Sequence, residues 1–132
     1  MRVLRLLRVG RPVLLHAPTG SGKSEAAFVP FVVLRGEADF PSRLIYVLPT
    51  RALVDSLADR FQMLTKKRGL SLRVAAQHGR RPESVLFYAN AVVATIDQVI
   101  SSYVCAPLSL GVRHGNIPAG AVATGFLVLD EV

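Results

Sequence analysis

The octapeptide Ala17-Pro18-Thr19-Gly20-Ser21-Gly22-Lys23-Ser24 constrains this chain more than any other segment. Two glycines one residue apart, followed by Lys-Ser, make a loop whose backbone N–H groups can turn inward with no Cβ in the way. The apolar run Val13-Leu14-Leu15, ending at His16, reads as a short strand before the loop, and Lys23 to about Leu34 reads as a helix after it. Strand, Gly-rich turn and helix N-terminus in that order predict a phosphate-binding loop of Walker A type, with Ala in place of Gly at its first position. In such a loop Lys23 places a point charge on the β- and γ-phosphates of ATP, and Ser24 offers its hydroxyl to Mg²⁺.

The rest of the chain repeats the theme. Arg43–Leu48 is expected as a second strand, and Arg51 to about Lys66 as a helix with Leu53, Leu57, Phe61 and Leu64 at helical spacing, ended by Gly69. Leu70–Ala76 reads as the third strand, Gln77–Pro82 as a loop and Pro82–Tyr88 as a short helix. Ala91–Ala94, Ile96–Tyr103 and Phe126–Leu129 read as strand, helix and strand. The segment between Ala106 and Gly125, with Pro107, Gly111, Gly115, Pro118 and Gly120, is expected to be an irregular excursion. Strands alternating with helices predict an α/β domain, a mostly parallel sheet with helices on both faces. Ligands of such sheets sit at the carboxyl ends of the strands, where the motifs fall.

Composition narrows the class. The 132 residues are 51% hydrophobic, but in short runs suited to strands buried on both faces. None approaches the roughly 18 apolar residues of a membrane span. Arg2, Arg5 and Arg8 interrupt the N-terminal apolar stretch, against a signal peptide. One cysteine, Cys105, excludes an internal disulfide and fits a reducing cytoplasm. A net charge of +7 invites a polyanionic partner or is simply a solvated basic surface. Aromatic residues are too few for base stacking to dominate a nucleic-acid contact.

Asp130-Glu131 follows the apolar run Phe126–Leu129, about a hundred residues after the phosphate loop. A carboxylate at a strand end can hold the Mg²⁺ that bridges ATP phosphates, and the next acid can polarise the attacking water. That assigns Asp130 to the metal and Glu131 to the general base. Pro49-Thr50-Arg51 and Thr95 sit between a strand and its helix. Singly, Thr50 and Thr95 are ordinary helix caps. Together they form a track on which backbone N–H groups, hydroxyls and Arg51 grip nucleic-acid phosphates. His78 reads as a loop residue beside a basic patch; like His16 and His114, it lacks neighbours at metal-ligand spacing.

These motifs in this order resemble the first motor domain of superfamily 2 helicases, and within that group the helicase part of the CRISPR-associated type I helicase-nucleases. Ala17–Ser24 followed by Glu25-Ala26-Ala27, then Thr95-Ile96-Asp97-Gln98, then Arg113–Gly120 before Leu127–Val132, carry the likeness, which spans about residues 10 to 132. The resemblance implies a RecA-like P-loop fold, truncated at the C-terminus, in a cytoplasmic prokaryotic protein. It implies an intact parent with a second motor domain and a nuclease domain, both absent from residues 1–132. That parent would use ATP and Mg²⁺ to move along single-stranded DNA and would answer to a CRISPR guide-RNA effector complex, with no membrane involved. Another superfamily 2 motor, such as an RNA helicase or a restriction translocase, and an inactive nucleotide-binding fragment stay open beside it.

Overall fold

Residues whose apolar side chains must be hidden on both sides build the centre of the molecule. Leu44–Leu48 (β1), Val74–His78 (β2) and Ala91–Thr95 (β4) are buried at every position, as parallel strands covered on two faces require. The computed structural model describes residues 2–18 and 20–131 and falls into two units, Met1–Ser42 and Arg43–Val132.

In the second unit the sheet runs β3-β2-β4-β1-β5, with Arg81–Pro82 as β3 and Phe126–Leu129 as β5. The β2–β4, β4–β1 and β1–β5 pairs are parallel; only the two-residue β3 runs antiparallel to β2. Alternate side chains divide the sheet between two layers. Ile45, Val47, Ala75, Val92 and Ala94 share one cluster with Val99 of Ile96–Tyr103 (α4) and with Ala121 and Val122 of Asn116–Ala123 (α5). Tyr46 points to the other face, where its ring meets Phe61 of Arg51–Lys67 (α3) edge-on at 5.8 Å. Helices thus cover both faces of a mostly parallel sheet, the RecA-like α/β arrangement expected.

Helix α3 follows its own chemistry closely. Thr50 caps it in extended conformation, its hydroxyl accepting from the Leu53 N–H, and Gly69 follows its end with φ of 62°. Its buried stripe is Val54, Leu57, Ala58, Phe61 and Thr65. Of the four residues expected to form that stripe, Leu53 is 39% exposed and Leu64 only half-buried.

Several local expectations fail, the first three in the second unit. Residues 82–88 do not form a helix. Bonds to flanking residues hold them instead: the Glu83 N–H donates to the Ala76 carbonyl, the Glu83 carboxylate accepts from Ala76 N–H, Gln77 Oε1 accepts from Ser84 N–H, and Ser84 Oγ accepts from Ala89 N–H. Phe87 reaches the core with a left-handed backbone (φ 56°), which no α-helix tolerates. The stretch after Ala106 is more ordered than its glycines and prolines implied, with a 3-10 turn at Val112–His114 and then α5. Pro118 lies in the first turn of α5, where a missing N–H costs nothing, and it is buried with Ala121 and Val122. Gly115 is required just before it, because a Cβ there would collide with the Cys105 carbonyl. The third strand also begins and ends later than expected, at Val74–His78.

The first unit holds Arg2–Arg8 (α1), which lies along Lys23–Leu34 (α2). Arg8 makes an exposed two-pronged contact with Glu37. Residues 11–18 form no strand, and Leu14 is 98% exposed. A strand exists only where a neighbour supplies main-chain partners, and this apolar run pairs with none among the described residues.

Candidate nucleotide and nucleic-acid site

The phosphate loop has the backbone its glycines foretell. Gly20 (φ 79°) and Gly22 (φ 84°) are left-handed, a conformation open to them and strained for almost any other residue. Gly22 is the N-cap of α2, so the helix opens with Lys23 and Ser24 and turns its positive end toward the loop. Lys23 folds back, its Nζ donating to the Ala17 carbonyl at 3.0 Å and to that of Pro18 at 3.4 Å. Ser21 Oγ donates to the same Pro18 carbonyl at 2.6 Å, so the loop is self-bonded. Thr19, expected to share in phosphate binding, lies outside the described residues. The helix after the loop is as expected; the strand before it is not formed.

In the second unit the register brings the expected residues to one level of the sheet. Leu48 pairs with Thr95, Val47 with Leu129, and Gln77 with Ala94. Pro49, Thr50, Arg51, His78, Thr95 and Asp130 therefore all come at the carboxyl ends of parallel strands. Pro49, Thr50 and Arg51 are exposed. The Arg51 guanidinium lies against Gly79, where an added Cβ would sit 3.5 Å from Nη2. Thr95 caps α4 without a side-chain cap bond; it is 4% exposed and its hydroxyl closes no hydrogen bond among the described residues. Burial pushes the neighbouring Asp97 carboxyl up, but the nearby Thr95 hydroxyl, the Gln98 amide and backbone N–H groups outweigh it and hold Asp97 below the usual range.

Asp130 is fixed twice by β1. Its N–H donates to the Val47 carbonyl at 3.1 Å, and its Oδ2 accepts from the Tyr46 hydroxyl at 2.6 Å. Glu131 beside it is exposed, with a left-handed backbone (φ 57°). Mg²⁺ takes one or two carboxylates plus substrate phosphates rather than a closed protein cage. A lone aspartate at a strand end fits that habit. No group of three or more His, Cys, Asp or Glu able to hold a metal occurs among the described residues.

Several supporting residues escaped the sequence reading. His78 is no loop residue: it ends β2, is 1% exposed, and bonds Asp55 of α3. Arg81 bonds Asp55, Asp59 and Glu83. Gln98 is buried and accepts from Gln77 Nε2 and from Ser109 Oγ, both at 3.2 Å. A glutamine directly after the apolar Val74-Ala75-Ala76 of β2 was the available signal, since a buried amide must find partners.

The profile of the DEAD/DEAH box helicases matches residues 1–132. The chain belongs to the DEAD/DEAH box helicase family. This helicase domain is also 34% identical over 132 residues to a protein of Thermoproteus tenax named CRISPR-associated helicase Cas3. That likeness takes in 90% of this chain and 23% of the relative, so the domain spans about a quarter of that protein's length. No solved structure matches it. Helicases of this family use ATP with a divalent metal, generally Mg²⁺, in keeping with the phosphate loop. No helix of the domain, among the described residues, is long and apolar enough to cross a membrane.

Proposed function

We propose that these residues are the ATP-binding portion of an ATP-dependent DNA motor that moves along single-stranded DNA in CRISPR interference, inside a longer prokaryotic, cytoplasmic protein. The observation that carries this reading is the common level of Arg51, Thr95 and Asp130 at the carboxyl edge of the sheet, which sets residues suited to phosphate contacts beside a carboxylate suited to Mg²⁺. The likeness to a helicase named for CRISPR supports the DNA and defence assignment.

Lys23 neutralises the β- and γ-phosphates once ATP displaces it from the Ala17 and Pro18 carbonyls. Residues 17–24 wrap the phosphates through backbone N–H groups. Ser24 and Asp130 would hold Mg²⁺, which spreads phosphate charge when bound. Glu131 takes the proton of the attacking water. Pro49, Thr50 and Arg51 line the strand's path, and Thr95 joins them only once its buried hydroxyl is uncovered. A second motor domain, with the arginine that reaches the transferred phosphate, and a nuclease domain belong to the same reading of the whole protein, as does a guide-RNA effector complex as partner.

The test is ATP turnover of the full-length protein with single-stranded DNA, single-stranded RNA or no nucleic acid, paired with a strand-displacement assay. Stimulation by DNA and displacement of a DNA strand are expected. Stimulation by RNA alone would put the protein among RNA helicases, and DNA-stimulated turnover without displacement among translocases.

A further inference from the structure

We propose that Tyr46 is the positioning residue for Asp130, aiming the carboxylate that receives the metal of the bound nucleotide. The inference rests on the reading of Asp130 as the Mg²⁺ residue.

Tyr46 is the one polar-tipped side chain in Leu44-Ile45-Tyr46-Val47-Leu48, which lies between β4 and β5. It is 1% exposed, yet its hydroxyl comes within 2.6 Å of Asp130 Oδ2. That length belongs to a charge-assisted O–H···O⁻ bond, about twice as strong as a neutral one. The phenol can only donate here, because an ionised carboxylate has no proton to give. The ring cannot swing away: Phe61 meets it edge-on at 5.8 Å and 77°, and β4 and β5 flank its backbone. Asp130 itself is half-buried, its N–H anchored to Val47. A rigid donor from inside the sheet thus holds one carboxylate oxygen. Oδ1 is the oxygen the phenol does not engage. A carboxylate free to rotate would lose entropy on meeting a metal; one already held does not. Partners of this kind, one step behind a ligating carboxylate, typically change metal affinity 10–100-fold when removed.

Tyr46→Phe keeps the ring and its contact with Phe61 and deletes only the donor. ADP affinity of the full-length protein would be measured calorimetrically from zero to saturating Mg²⁺. The expected result for Tyr46→Phe is an unchanged affinity without metal and a roughly tenfold higher Mg²⁺ concentration at the half-point. Asp130→Asn should abolish the Mg²⁺ enhancement. If Asp130→Asn does so while Tyr46→Phe leaves the half-point in place, Asp130 keeps its role and the assignment of Tyr46 falls. If Asp130→Asn leaves the Mg²⁺ dependence intact, the underlying reading of Asp130 falls, and this inference with it. A measurement on the native fold guards against an unfolded variant: 3-fluorotyrosine at position 46 should shift its ¹⁹F resonance when Mg²⁺ is added to the ADP complex, and a resonance that ignores Mg²⁺ overturns the proposal.

Discussion

His78 Nε2 lies 3.0 Å from Asp55 Oδ1, joining the end of β2 to the second turn of α3. The other ring nitrogen accepts from the Arg80 N–H at 3.3 Å, so the proton sits on Nε2 and is donated to Asp55. Arg81 approaches the same carboxylate oxygen at 2.8 Å. Arg51 stands one helical turn before Asp55, which places this tie directly behind the residue lying over Gly79.

The tie should appear in acid. The His78 hydrogen bond is the largest cause holding the Asp55 carboxyl below its usual range; burial opposes it and Arg81 adds to it. A lowered folded-state pKa means that the stabilisation is complete above the unfolded value of about 3.9 and disappears as pH falls through the lower folded value. Asp55→Asn should therefore melt lower than the native protein near neutrality, and its stability should fall less steeply as pH drops through and below the ordinary carboxylate range. Parallel melting curves against pH would show that Asp55 contributes nothing through its charge.

Lys23→Ala should abolish ATP turnover in the full-length protein, a loss of ~100-fold or more, if its charge stabilises the transition state as proposed. Circular dichroism should be unchanged, since Lys23 bonds only carbonyls of its own loop among the described residues. Normal turnover would remove the lysine from the chemistry.

Glu131→Gln should leave Mg²⁺-dependent nucleotide binding near the native level while turnover collapses. The proposed division of labour gives the metal to Asp130 and the attacking water to the exposed Glu131. Affinity and single-turnover rate, measured separately, decide it; lost affinity with normal turnover per bound ATP would reverse the two roles.

Arg51→Ala should weaken single-stranded DNA binding and reduce the slope of log affinity against log salt by about 1, the signature of one lost phosphate contact. Basal ATP turnover should change little. Thr95→Val separates the two readings of that residue. Its hydroxyl makes no cap bond, so a mere capping role predicts no effect, and a DNA contact predicts weaker binding at every salt concentration.

Residues 1–132 produced alone should neither unwind DNA nor hydrolyse ATP at a useful rate. An arginine reaching the transferred phosphate is worth ~10³-fold or more, and the proposal assigns it to another domain. Light scattering should also reveal self-association, because β5 pairs only with β1 among the described strands and Leu127 and Leu129 are 44% and 61% exposed. Leu127→Lys with Leu129→Lys should restore a single species. Brisk DNA-stimulated turnover from a monodisperse sample would show these residues to be a complete motor.

How much of this was legible depended on whether the deciding partner was local. Lys23–Leu34, Arg51–Lys67 and Ile96–Tyr103 were readable because caps, glycines and helical spacing lie within the segments themselves. Buried strands announced themselves as short apolar runs. Val13–His16 carried the same apolar signal, but a strand is completed by a neighbour, which a run of residues does not specify. Segment 82–88 was misread because bonds to Gln77 and Ala76, outside it, decide its path. Helix α5 was hidden by Pro118 and Gly120; the Gly costs about 1 kcal/mol in a helix interior, outweighed here by burial of Ala121 and Val122. The phosphate loop and the carboxyl-edge residues were legible by type and spacing. Tyr46, Asp55 and Arg81 were not, since their roles are long-range bonds to residues far along the chain.

The glutamine inside β2 bears on how the strands find their phase. Strands β1, β2 and β4 are buried on both sides, so they lack the inside–outside alternation that penalises a slip of one residue. Gln77 supplies the missing mark. Slipped by one position, it would face the opposite layer, away from Gln98, and the Ser84 N–H would be left without its acceptor. A buried amide bonded through both its nitrogen and its oxygen makes one alignment distinct from its neighbours. The alignment so selected is the one that sets His78 at the end of β2 level with Thr95 at the end of β4. A side chain that touches neither nucleotide nor DNA thus acts as the vernier for those that would.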